Sequence, residues 1–507
     1  MSPSPTRAHV FLIGAGPGDP SAITLRAVAC LAKADLVLYD YLVNPRVLAH
    51  ASDDAELVCL GRHGQGRIMP PEEVIERMIT AARAGRTVAR LKSGDPLVFA
   101  RAAEEVEALS AAGIPFEVVS GMTAALAAGS YAGVPLTYRR HASAVALVTG
   151  RQGPDAPPLD FAALAKFPGT LVCYMGVTTA REWTTSLIEA GRSADEPAAI
   201  IRRCSWPDQL IARCTLGTIA EEIERRKLRP PVTVILGEVV REAESVDWFA
   251  DRPLFGQRVL VTRPSHQANA LAELLEEQGA GVLLQPAIEI AALHDWSEVD
   301  QAIEQQTRQP FDWIVFSSGN GVRSFLNCIL ETGHDLRALA GARLAVIGSA
   351  TASALAEYHL NADLTPDEFR AEALAEELGR DARGKRFLLI RASRGREVLA
   401  ETLRAAGGDV TQVVVYQSRD VTQPDAEIAT ALDAGEIDWV TVTSSAIAGS
   451  LANLFGDSLQ RTQLASISPV TSATLRELGY EVAAEAKEYT MAGLVGAMCV
   501  QAQQGKS

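Results

Sequence analysis

The chain reads as a multidomain α/β protein with largely parallel sheets, and three observations say so. Its 507 residues exceed what one hydrophobic core serves, which implies about three or four folded units. Short β-branched runs alternate almost throughout with longer Ala/Leu/Glu-rich stretches of helical periodicity. Apolar residues make up 48% and charged residues 21%, a balance that excludes a disordered, collagen-like or coiled-coil chain.

Strands are expected at Val10–Ile13, Leu36–Tyr39, Val88–Leu91, Val145–Thr149, Leu171–Tyr174, Val259–Thr262, Trp313–Phe316 and Val440–Thr443, with helices between them. The first leads into Gly14-Ala-Gly-Pro-Gly-Asp19 and a helical pattern from Ile23. Glycines there permit tight turns and close approach of a ligand. A dinucleotide fingerprint would set Asp40 on a ribose, but Asp19 breaks the spacing and Pro17 removes a backbone donor. The loop Arg90-Leu-Lys-Ser-Gly-Asp-Pro-Leu-Val-Phe99 follows another strand, and Val119-Ser-Gly-Met-Thr-Ala-Ala125 opens a helix of small residues. Three strand-end loops rich in Gly, Ser and Thr thus border one crevice at the carboxyl edge of a sheet.

Periodicity lapses around Asp247–Gly256 before a fresh strand in Arg258-Val-Leu-Val-Thr-Arg-Pro264, so the chain is divided into 1–252 and 253–507, with a sub-boundary near 140–155. The second part repeats itself. Val259-Leu-Val-Thr-Arg-Pro264 parallels Phe387-Leu-Leu-Ile-Arg-Ala392, and Asp312-Trp-Ile-Val-Phe-Ser-Ser318 parallels Asp438-Trp-Val-Thr-Val-Thr-Ser444. Ala345–Thr351 parallels Ala465–Thr471, and Phe369 parallels Tyr489. So long an offset means two similar lobes rather than a solenoid, and two lobes imply a cleft.

Strands in this part end in Ser or Thr just where a helix begins: Ser317-Ser318, Ser349-Ala-Thr351, Thr443-Ser444 and Ser468-Pro-Val-Thr471. Such hydroxyls either cap the helices or, set on facing lobes, hold a polyanion at several points. Arg263 and Arg391, each closing a strand, add positive charge.

The net charge of −15 argues against a nucleic-acid surface. Absence of any long apolar run, with no room for a signal peptide before Val10, argues against a membrane and for a cytoplasmic protein. The seven cysteines are scattered without a Cys-x-x-Cys pair, which points to reduced thiols and no metal site.

Gly14-Ala-Gly-Pro-Gly-Asp-Pro20, Asp35-Leu-Val-Leu-Tyr-Asp40, Arg90-Leu-Lys-Ser-Gly-Asp-Pro96, Gly113-Ile-Pro-Phe-Glu-Val-Val119, Tyr131-Ala-Gly-Val-Pro-Leu-Thr137 and Tyr174-Met-Gly176 together resemble uroporphyrinogen-III C-methyltransferase over roughly residues 8–250. The resemblance implies a two-lobed tetrapyrrole methylase fold that binds S-adenosylmethionine between its lobes and forms a homodimer. Carried over by motif, Pro17, Ser93, Gly94, Asp95, Val98, Thr123, Ala124, Met175 and Cys204 line the methyl donor's site, and Asp40 is the proton acceptor. The family's proton-donating lysine is replaced by Arg62, which clamps a carboxylate but does not give up a proton. Ser93 stands for a glycine, and Ala100-Arg-Ala-Ala103 replaces a glycine-rich run.

Val261-Thr-Arg-Pro264, Phe316-Ser-Ser-Gly-Asn-Gly-Val322, Val413-Val-Val-Tyr416, Asp438–Ser445 and Ile467-Ser-Pro-Val-Thr471 resemble uroporphyrinogen-III synthase. This implies two flavodoxin-like lobes joined by a two-stranded linker, one discontinuous (about 256–290 plus 421–507) and one about 291–420. It also implies hydroxymethylbilane as substrate, held by Arg263, Ser318, Asn320, Ser349, Thr351, Arg391, Ser444 and Thr471, with Tyr416 assisting departure of its hydroxyl. Together the halves are expected to make uroporphyrinogen III and methylate it twice, giving precorrin-2 for sirohaem or cobalamin. An active synthase joined to a degenerate or altered-specificity methyltransferase half, a non-catalytic tetrapyrrole-binding or regulatory protein, and a nicotinamide dehydrogenase are the alternatives.

Overall fold

Five strands, β1 (Val10–Gly14), β2 (Leu36–Tyr39), β3 (Glu56–Cys59), β4 (Val88–Lys92) and β5 (Phe116–Val119), form a parallel sheet in the order 3-2-4-1-5. Phe11, Ile13 and Val37 pack on one face with Ala27 and Leu31, and Leu12, Leu36 and Leu38 on the other with Val74 and Met78. Burial on both faces is why these strands read as unbroken apolar runs. The order sets β4, β1 and β5 side by side, so the loops at their carboxyl ends meet.

The computed structural model describes residues 9–61, 67–153, 156–245, 247–368, 370–395 and 397–505; Arg62 and Phe369 lie outside them. The chain divides into two units, Met1–Gly256 and Gln257–Ser507. In the first unit a second sheet, of β6 (Val145–Thr149), β7 (Thr170–Tyr174), β8 (Pro197–Arg202), β9 (Leu210–Thr215) and β10 (Val232–Leu236), runs in the order 6-7-10-8-9. Only its β6–β7 pair is parallel. The expectation of largely parallel sheets fails here; for β8 and β9 the turn after Arg202 is too short for the crossover a parallel pair needs. The helix Ala124–Tyr131 buries Ala125, Ala127 and Ala128 with Val172, Ala199 and Ile235 of this sheet, joining the two lobes.

The second unit opens with β11 (Arg258–Val261) and β12 (Gly281–Leu284), then builds β13 (Ile288–Ala291), β14 (Trp313–Phe316), β15 (Arg343–Val346), β16 (Arg386–Ala392) and β17 (Asp409–Asp420). It returns with β18 (Trp439–Val442), β19 (Gln463–Ser466) and β20 (Ala484–Glu485). One sheet has the order 12-11-18-19-20, all parallel; the other is 13-17-16-14-15, parallel except for β13. By order of appearance both follow the flavodoxin pattern 2-1-3-4, and the first lobe is interrupted by the second. β13 pairs antiparallel with Gln417–Asp420, the far end of β17, as a two-stranded connection.

Candidate active sites

In the first unit three glycines let the loops after β1, β4 and β5 touch backbone to backbone. A Cβ on Gly14 would lie 2.5 Å from the Gly121 nitrogen, and one on Gly121 2.6 Å from the Gly14 carbonyl carbon. Gly94 N donates to Gly16 O (2.7 Å) and Gly16 N to Gly94 O (3.2 Å), both residues at left-handed φ. Asp95 braces the same junction, accepting from Gly121 N (3.2 Å) and Leu97 N (2.9 Å).

The second lobe supplies the facing wall. Trp206 Nε1 donates to Pro17 O (3.1 Å), and its ring fills the space that a Cβ on Gly18 would need. Asp19 N donates to Ser205 Oγ (3.0 Å), and the Tyr131 hydroxyl donates to Asp19 Oδ2 (2.9 Å). The Tyr174 hydroxyl accepts from Ala125 N (2.8 Å) and meets Thr123 Oγ1 (2.7 Å). Met175, exposed, follows Tyr174, whose ring lies 4.9 Å from that of Phe99. Phe99, Arg101, Met175, Arg203 and Ser205 all hold positive φ without being glycine, a concentration of backbone strain typical of working sites. Cys204 is buried against Ala125 and Ala128, and that burial raises its thiol pKa. Pro17, Gly94, Asp95 and Val98 therefore lie on the joined glycine loops, Thr123 and Ala124 at the start of the helix that Tyr174 braces, Met175 next to Tyr174, and Cys204 in the core beneath that helix.

Asp40 follows β2 and borders a hollow of about 250 Å³ whose lining includes Leu60, Met69, Val74 and Ile75 along with Arg90, Lys92 and Glu105. Arg90 NH2 pairs with Asp40 Oδ1 (2.7 Å). Arg90 Nε (3.1 Å) and Lys92 Nζ (2.8 Å) both donate to Glu105 Oε1. Burial, and next the Arg90 charge, lower the Lys92 pKa.

In the second unit the switch points of the two parallel sheets lie between β11 and β18 and between β14 and β16, where crevices at strand carboxyl ends take ligands. Ser318 Oγ caps the helix Gly319–Glu331 through Gly321 N (3.0 Å) and lies 3.1 Å from the Tyr416 hydroxyl. From the other lobe, Gln267 Nε2 donates to Asn320 Oδ1 (2.7 Å), with His266 Nε2 at 3.2 Å. Tyr416 is buried, which raises its pKa. Arg263 is half-buried with Gln267 Oε1 (2.9 Å) as its described partner and no carboxylate on it, and burial lowers its pKa.

Arg391 offers no free charge of the kind expected, because it is ion-paired to Glu397 and donates to Gln412 Oε1 (2.6 Å). Ser444 caps its helix through Ile447 N (3.2 Å), Ser349 is exposed, and Thr351 and Thr471 are buried, the latter against Ser468 Oγ (3.1 Å). So Arg263, Ser318, Asn320 and Tyr416 come together, while Arg391, Thr351 and Thr471 are engaged elsewhere or enclosed. No group of three metal-ligating side chains occurs among the described residues.

Sequence reasoning missed Trp206, Ser205 and Tyr131, which close the glycine loop, as well as Glu105 and Gln267. A tryptophan in the short connection Arg203-Cys-Ser-Trp-Pro207 was a usable signal, because large rings in brief loops have to rest on something. Glu105 and Gln267 carry no local mark.

The profile of tetrapyrrole (corrin/porphyrin) methylases matches residues 9–220, and that of uroporphyrinogen-III synthase HemD residues 269–496. The porphyrin biosynthesis protein HemD of Ruminiclostridium josui is 32% identical over 486 residues, 95% of this chain and 94% of that one. A siroheme synthase of Sodalis glossinidius is 44% identical over 250 residues, 49% of this chain and 53% of that protein, so the chain spans about half the length of this relative. A uroporphyrin-III C-methyltransferase of Thermus thermophilus, solved with S-adenosylhomocysteine, is 41% identical with a TM-score of 0.41, covering 46% of this chain and 100% of that one.

Proposed function

We propose a two-step function from the premise that this chain belongs to the family of the Ruminiclostridium josui porphyrin biosynthesis protein HemD, with a tetrapyrrole methylase ahead of a uroporphyrinogen-III synthase. The second unit closes hydroxymethylbilane to uroporphyrinogen III, inverting the last pyrrole and releasing water. The first unit then methylates that macrocycle twice, giving precorrin-2 for sirohaem or cobalamin. The observation that carries the reading is the junction of Gly14, Gly94 and Gly121, where the loops after β1, β4 and β5 pack so closely that no Cβ fits on Gly14 or Gly121, a short way along the sheet edge from Asp40.

That junction, with Pro17, Asp95, Thr123 and the exposed Met175 around it, fits S-adenosylmethionine. Bound there, the cofactor supplies a methyl group activated by a positively charged sulfur. The chain's own task is alignment, which accounts for much of the rate in an in-line transfer. Asp40, oriented by Arg90, takes the proton that the macrocycle must lose once a ring carbon becomes quaternary.

In the second unit Arg263 binds a substrate carboxylate, a partner it lacks among the described residues. Tyr416, kept protonated by burial, gives its proton to the departing hydroxyl. The C–O bond breaks and water leaves. The last pyrrole attacks the resulting cation through the ring carbon already joined to its neighbour's methylene. That older C–C bond breaks to leave a second cation, and the pyrrole's free carbon closes onto it, the proton lost from that carbon returning to Tyr416.

The test supplies hydroxymethylbilane and S-adenosylmethionine to the purified chain and follows products by absorbance and mass. A doubly methylated type III product is expected. Type III without methyl groups removes the reading of the first unit, and the type I isomer alone removes that of the second.

A further inference from the structure

We propose that Glu105 is a positioning residue of the methyl-transfer site, holding Arg90 so that Arg90 can hold Asp40. The proposal rests on the reading of Asp40 as proton acceptor. Arg90 makes three directed contacts: Nε to Glu105 Oε1 (3.1 Å), NH1 to Leu91 O (3.1 Å) and NH2 to Asp40 Oδ1 (2.7 Å). A guanidinium is a rigid plane, so acceptors on two of its nitrogens fix the direction in which the third points. Glu105 is itself fixed in the first turns of the helix Ala102–Ala111 and tied to Lys92 Nζ (2.8 Å).

Stability alone does not explain the arrangement. The side chains of Glu105, Arg90 and Lys92 are 9%, 6% and 4% exposed, and the two cations converge on a single carboxylate oxygen. The other, Glu105 Oε2, is buried without a partner among the described residues. An unpaired buried carboxylate oxygen is a cost that a purely structural ion pair would be expected to avoid. The charges of Asp40, Glu105, Arg90 and Lys92 cancel, and the further charged groups lining the hollow, Arg101 and Glu104, pair with each other (2.7 and 2.9 Å). Glu105 is therefore the one described carboxylate that can both balance Lys92 and aim Arg90.

The experiment is a double-mutant cycle on the full chain, reading methyl-transfer kcat, KM for uroporphyrinogen III and Kd for S-adenosylmethionine. Glu105→Gln is expected to lower kcat about tenfold while KM and Kd stay within about twofold, the signature of an interaction acting on the reacting arrangement. In an Asp40→Asn background the same change is expected to add nothing further, because its effect passes through Asp40. Losses that multiply, or an unchanged kcat in Glu105→Gln, overturn the proposal. Wild-type kcat in Asp40→Asn overturns the reading beneath it, a distinguishable result. Should Glu105→Gln fail to fold, Arg90→Lys carries the test, since it keeps the charge but cannot bridge both carboxylates. It should show the same loss of kcat with unchanged Kd, and an unchanged kcat there overturns the proposal.

Discussion

Replacing Gly121 by alanine is the most direct probe of the methyl-donor site. The new Cβ would fall 2.3 Å from the Gly94 carbonyl oxygen and 2.6 Å from the Gly14 carbonyl carbon, whereas ordinary contact begins at 3.4 Å. Both neighbours are backbone, so no side chain can rotate away, and the loops after β1 and β5 must separate by about 1 Å. Overpacking of this kind costs about 1–3 kcal/mol. At about 1.4 kcal/mol per tenfold, that predicts a rise of about 5- to 150-fold in the Kd for S-adenosylmethionine. Titration calorimetry on the full chain measures it, with synthase turnover in the same sample reporting on the second unit. Gly113→Ala serves as control: its φ of +67° imposes strain, but nothing lies within 4 Å of the added carbon. Binding by Gly121→Ala within about twofold of wild type would refute the argument that backbone contact builds this site.

Tyr174→Phe removes the hydroxyl that meets Thr123 Oγ1 and Ala125 N, and should cost about 1–3 kcal/mol in thermal unfolding, with weaker binding of S-adenosylmethionine. Arg263→Leu should raise the KM for hydroxymethylbilane at least about tenfold without lowering Tm, because the side chain has no carboxylate partner among the described residues to strand. Arg391→Leu should do the reverse, lowering Tm by freeing Glu397 and leaving KM alone. Burial raises the pKa of Tyr416 above its ordinary value of about 10. Its contribution to stability is therefore complete below that pH and lost as pH climbs through the higher folded value, so Tyr416→Phe should flatten the fall of Tm above about pH 10.

What the sequence disclosed was local. Glycines at 14, 94 and 121 and hydroxyls at 318, 444 and 468 mark strand ends, because a turn and a helix cap each need their residue within a few positions. The doubled lobes were legible for the same reason, each strand-end motif occurring twice. Pairings set by tertiary position were not legible. Gln412, twenty-one residues beyond Arg391, reaches it only after β16 and β17 have paired, and Glu397 meets it from the start of the helix between them. Trp206 reaches Pro17 across a separation of 189 residues. The mostly antiparallel second sheet also escaped, since a buried strand looks alike in either direction. Arg62 lies outside the described residues, so its consequence rests with the methyl-transfer assay.

In the second unit β11 and β12 are made first, yet β18, the neighbour that completes β11, is made only after the whole inserted lobe. During synthesis these early strands carry an unsatisfied edge while the strands of the inserted sheet are still being made. Damage near the carboxyl terminus should therefore unravel the portion built earliest and spare the middle. A protease would recover that middle as an intact fragment, and a chaperone would meet the nascent chain through its oldest strands.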